Sequence, residues 1–134
     1  GMNFTHAAPK KYQAPEAWMK IARENCEKSG GSVHVTEDPV EAVKNADFIY
    51  TDLWWWVGQE AEIPDREAAF MPNYQVNMDL LSKAPAHCKF MHCLPAHRGH
   101  EVTEEVIEGK LSVVFDQAEN RLHAQKAILI KLMG

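Results

Sequence analysis

The sequence predicts an α/β fold with a mostly parallel sheet and helices on both faces, and three observations carry that prediction. Short β-prone runs alternate with runs of helical apolar spacing along the whole chain, the pattern of βαβ units. Nearly every run is closed by glycine, proline or a short polar residue, which are the chain's local punctuation. The length, 134 residues, suits one buried core rather than two.

Taken in order, "MNFTHAAP" is a β-prone run ended by Pro9, and "APEAWMKIARENCEKSGG" is a helix with Pro15 near its start and a double-glycine stop. "SVHVTED" alternates like a strand. "DPVEAVKNA" opens with an Asp cap and a proline at its first helical position, and "DFIYTDL" is a buried-type strand. The following stretch, rich in Glu, Pro and Asp, reads as a loop, and "YQVNMDLLSKAP" reads as a helix. "CKFMHCLP" is a strand halted by Pro95, "TEEVIEG" a short capped helix, and "SVVFDQ" a last strand. "AENRLHAQKAILIKLM" closes the chain as an amphipathic helix, with Leu122, Ala127, Ile128 and Leu132 on one side.

Hydrophobic residues at 46% and charged residues at 25% are ordinary for a globular protein. A net charge of -5 with scattered lysines and arginines gives no basic stripe for nucleic acid. No apolar run nears the roughly 20 residues that cross a bilayer, and "GMNFTHAAPKK" lacks a signal-peptide core. A cytoplasmic location is expected. Cys26, Cys88 and Cys93 are an odd set without CxxC spacing, which fits a reducing compartment.

Ligands of such sheets bind beyond the carboxyl ends of the strands. Those ends carry Thr51 and Asp52, then His92 and Cys93, then Asp116 to Arg121. Neither a GxGxxG turn nor a P-loop is present, so nucleotide binding has no support. His92, Cys93, His97 and His100 admit a zinc reading, although the CxxC or HxxxH pairing of a strong site is missing. Plain structural readings also stand: Cys93 as a small buried hydrophobe, Asp52 as a turn cap, "AENR" as a helix start, His97 to His100 as a solvated loop.

Together, "FMHCLPAHRGHEVTEEVIEG", "SVVFDQAENRLHAQKAIL" and "YTDLWWWVGQE" resemble the second, amine-substrate-binding domain of the ornithine carbamoyltransferases. The resemblance runs from near Met2 to near Gly134, and Cys93 stands where the aspartate branch has proline. It implies a Rossmann-like three-layer domain spanning residues 1–134 and no cofactor. The implied reaction is attack of a primary amine on carbamoyl phosphate. By the same resemblance Asp52 and Cys93 hold and deprotonate the amine, and Leu94 offers its carbonyl. Arg121 reaches the carbamoyl group, and His92 begins the motif beside it.

Where ornithine enzymes have Ser-Met-Gly after TDxW, this chain has Trp56, Val57 and Gly58. The change from a hydroxyl to an indole is expected to alter which amine is accepted. Trp54 matches the family's own tryptophan and is expected to be structural; Trp55 is expected to pack under the following loop. Alternatively, the triplet buries a loop or a subunit contact, or forms the partner surface of a non-catalytic interaction domain. The family's S-x-R-T-R phosphate motif and its GDxxN turn are absent. The expectation is therefore a piece of a longer parent, trimeric by resemblance, and without catalysis as an isolated chain.

Overall fold

The computed structural model describes residues 1–134. Four strands form two parallel pairs. β1 (Asn3–Ala7) pairs with β2 (Ser32–Thr36), Asn3 opposite Ser32. β3 (Phe48–Thr51) pairs with β4 (Lys89–His92), Phe48 opposite Lys89 and Thr51 opposite His92. The crossovers carry the helices that the sequence calls for. α1 (Glu16–Ser29) joins the first pair and stops at Gly30, whose φ of 73° lies in the left-handed region open to glycine. α2 (Pro39–Val43) starts at Asp38, whose carboxylate accepts from the amides of Val40 and Glu41.

Between β3 and β4 lie α3 (Ile63–Phe70) and α4 (Met78–Ser82). α3 replaces the loop expected over that region: Pro64 and Asp65 at its start favour a helix N-terminus rather than excluding one. α4 is shorter than expected because Asn77 caps it through Leu80, while Val76 bridges in parallel to Val102.

After α5 (Glu104–Ile107), the expected last strand is reduced to one bridge between Phe90 and Ser112. The Phe90 amide donates to Leu111 at 2.8 Å and its carbonyl accepts from Val113 at 2.9 Å. The chain then enters the 20-residue helix α6 (Val114–Met133) directly. The β preference of the valines yields to a long run of helix formers beginning beside Asp116, an acid in the first turn.

Both pairs are parallel, in keeping with the mostly parallel sheet that the sequence predicts. They border a cleft of about 340 Å³ lined by β1, β3 and the rings of Tyr12, Trp54, Phe70 and Tyr74. α1 packs on β2, α2 on β1 and α4, and α6 on β4. The main core gathers Ile49, Phe90, Val102, Ile107 and Val114 around the second pair. Burying Phe90 completely contributes about 2–3 kcal/mol. Cys88 is fully buried there, so the small-hydrophobe reading belongs to Cys88. No helix is long and apolar enough to cross a membrane.

Candidate active site

Because Thr51 and His92 are partners at the end of the β3–β4 ladder, the next residues of each strand, Asp52 and Cys93, leave the sheet side by side. Neighbouring strands lie about 4.8 Å apart, within side-chain reach. Cys93 Sγ donates to Asp52 Oδ1 at 2.9 Å across 41 residues of sequence. The same oxygen accepts from the Leu53 amide at 2.7 Å.

Burial pushes the Cys93 thiol up, and the hydrogen bond to Asp52 pushes it further; a bond with Tyr50 partly opposes them. The sulfur is therefore a protonated donor at neutral pH. Tyr50, two residues before Asp52 on the same side of β3, also bonds Gln117, and burial raises its own pKa. Gln117 Oε1 in turn accepts from the His92 amide at 3.1 Å. Tyr50 is missing from the sequence reading and Gln117 enters it only as one of the polar residues from Asp116 to Arg121; the period-2 spacing to Asp52 and the place of Gln117 inside "DQAEN" are the signals for them.

The remaining expected residues fall into three groups. Leu94 stays beside the pair, with φ at 55° and its amide donated to His92 Nδ1 at 2.8 Å. His92 is 0% exposed, its ring spent on Leu94 and on Glu101. Arg121 is exposed on α6, four residues beyond Gln117 and hence one turn along the same face. It takes no part in the Asp52–Cys93 bond, so the structure joins two of the three expected catalytic groups.

The three indoles separate. Trp54 is buried, stacks on Phe70 at 5.3 Å, and gives its carbonyl to Arg66, which Glu62 holds. Trp55 stacks on His97 at 4.9 Å and meets His100 edge-on at 5.0 Å. It thus ties its own loop to the loop after β4, through contacts worth about 0.5–1.5 kcal/mol per aromatic pair. Trp56 is 52% exposed and Val57 fully exposed. Their turn is fixed by Gln59 accepting from Trp56, by Glu60 accepting from Gly58, and by the φ of 93° at Gly58. The Gly58 amide lowers the pKa of the Glu60 carboxyl.

The loop after β4 is cross-tied rather than freely solvated. Arg98 pairs with Glu104 at 2.5 Å and Glu108 at 2.6 Å, and His100 with Glu67 at 2.7 Å. No group of three or more His, Cys, Asp or Glu side chains is placed to hold a metal ion, so the zinc reading gains no support.

The model of the aspartate/ornithine carbamoyltransferase Asp/Orn binding domain matches residues 1–132. The chain belongs to this family. It is 54% identical over 131 residues to the putrescine carbamoyltransferase of Mycoplasma capricolum, covering 97% of this chain and 36% of that protein. It is equally 54% identical to the ornithine carbamoyltransferase of Thermococcus kodakarensis, covering 100% of this chain and 42% of the relative. The ornithine carbamoyltransferase structure from Pyrococcus furiosus superposes with a TM-score of 0.90 at 54% identity, over 96% of this chain and 41% of that one. The chain spans less than half the length of these relatives. Within the carbamoyltransferase family the mixed α/β, Rossmann-like fold is shared, and a non-catalytic interaction domain finds no support among the matches.

Proposed function

We propose that this chain is the amine-binding part of a longer carbamoyltransferase, which moves a carbamoyl group from carbamoyl phosphate to a primary amine. The observation that carries the reading is the 2.9 Å bond between Cys93 and Asp52 at the carboxyl edge of the sheet. An alkylammonium has a pKa near 10 and must lose a proton before it can attack. Asp52 Oδ1 already takes Leu53 and Cys93, so Oδ2 receives the ammonium, with the Cys93 sulfur and the Leu94 carbonyl as its other partners. Asp52 Oδ2 takes one proton from the ammonium, the nitrogen lone pair forms the C–N bond, and collapse of the tetrahedral intermediate breaks the C–O bond, the second N–H proton leaving with the departing phosphate.

Arg121 stabilises the oxygen of that intermediate, a contribution on the order of 3 kcal/mol for a fixed donor. His92, fully buried and bonded to the Leu94 amide, acts through Leu94 rather than on the substrate. Trp56 and Val57 border the far end of the acceptor. Ornithine is the favoured acceptor. A second reading, a diamine such as putrescine, is favoured by the apolar pair Trp56 and Val57, which offers no side-chain hydrogen bond to an α-carboxylate, and by the M. capricolum relative. The deciding experiment assays the full-length protein with carbamoyl phosphate against ornithine, N-acylornithine and putrescine. The reading requires transfer to one of them, and no transfer to any amine overturns it. The chain of 134 residues by itself is expected to form no carbamoylated product.

A further inference from the structure

Beneath the proposed site lies a buried acid that the chemistry above does not use. Glu101 is 0% exposed, and its one charged or chargeable partner is His92. Its Oε1 accepts from the His97 amide at 2.6 Å and meets His92 Nε2 at 3.2 Å, while Oε2 has no partner. On the other side of the ring, His92 Nδ1 lies 2.8 Å from the Leu94 amide. A nitrogen that accepts from an N–H carries no proton, so neutral His92 is protonated on Nε2, facing Glu101. Leu94 has φ at 55°, in the left-handed region that a leucine adopts only when its surroundings enforce it. Cys93 sits between these two anchored residues, with its sulfur at Asp52.

We propose that Glu101 is a positioning residue for carbamoyl transfer: it fixes the tautomer of His92, which holds the Leu94 amide, which aims the Cys93 sulfur and the Leu94 carbonyl at the incoming amine. The burial of Glu101 fits this role, since a partly satisfied acid without a cation is a costly way to fill a core and is better explained by orientation than by stability. The same oxygen anchors the far end of the turn through His97, so one side chain spans the segment from residue 92 to residue 97.

This inference rests on the reading of the site given above, and its test separates the two. Long-range ¹⁵N NMR of the unmodified chain is expected to show His92 Nδ1 bare and Nε2 protonated at neutral pH; a proton on Nδ1 overturns the proposal with no variant needed. Glu101→Gln keeps an acceptor oxygen and Glu101→Ala removes it. Alkylation of Cys93 by iodoacetamide, followed by peptide mass spectrometry, is expected to quicken about tenfold in Glu101→Ala, the effect of releasing the thiol by one pKa unit. Glu101→Gln is expected to stay within about twofold, since the acceptor remains. A folded Glu101→Ala chain alkylated at the original rate overturns the proposal. In the full-length enzyme Glu101→Ala is expected to lower kcat about a hundredfold with KM for carbamoyl phosphate unchanged, as for a misplaced catalytic group, and Glu101→Gln to restore most of it. Equal losses in both variants also overturn it. If the full-length enzyme carbamoylates no amine, the reading of the site fails, while the His92 tautomer still decides on Glu101.

Discussion

Asp52 and Cys93 share one hydrogen bond, and its polarity sets how each responds to substitution. The carboxylate accepts from the thiol, so Asp52→Asn removes an anion that disfavours the thiolate. The Cys93 pKa is therefore expected to fall, and the pH profile of its alkylation to move to lower pH; a profile that moves upward would show that Asp52 does not hold the sulfur. The same change is expected to lower carbamoyl transfer by the full-length protein by about 10²–10⁴-fold, the usual range for losing an acid–base group. While the pairing of these two residues rested on the family resemblance, their shared edge was legible in the sequence because each follows a recognisable strand and parallel strands end together. Tyr50 and Gln117 were less so. Tyr50 reads as an ordinary strand aromatic until the sheet places it beside Cys93, and Gln117 was hidden inside a run assigned to a strand. Glu101 gave no signal at all, because its burial depends on how the turn from 92 to 97 folds over it.

Helices and strands were most readable where a local device starts or stops them. Asp38, with Pro39 behind it, marks the start of α2, and its carboxylate does accept from two amides. Asp38→Ala is expected to destabilise the chain by about 1 kcal/mol, the typical cost of a lost N-cap, measurable as a lower midpoint in urea; an unchanged midpoint would mean that α2 contributes nothing to cooperative unfolding. Gly30 announced the end of α1 in the same way. The stretch from 112 to 117 misled because three apolar β formers in a row suit a strand, whereas the ladder takes only Leu111 and Val113 before α6 begins. The region of α3 misled in the opposite sense: prolines and acids that belong in a first helical turn resemble a loop when no long apolar stripe accompanies them.

At the scale of the whole molecule, the protonation of buried groups limits the pH range over which the fold is most stable. Burial raises the pKa of Cys88, with the nearby Asp47 charge adding to it, and burial followed by the Asp52 bond raises that of Cys93. Each thiol therefore holds its proton more tightly folded than unfolded. The stability this gives is fully present below the unfolded thiol value of about 8.5 and is lost as pH climbs through the folded values. His6 works from the other side, its pKa lowered by burial. The folded chain binds that proton less well, so His6 favours folding above the unfolded value of about 6.5 and loses this contribution as pH falls through its folded value. The two limbs define a plateau between about pH 6.5 and pH 8.5. Thermal unfolding followed from pH 5 to pH 10 under reducing conditions is expected to show the midpoint declining above that plateau, less steeply in Cys93→Ser, which removes one titrating thiol. A decline of identical slope in Cys93→Ser would show that the sulfur beside Asp52 keeps an ordinary pKa in the folded chain, and the view of that pair as a protonated donor facing a carboxylate would have to be given up.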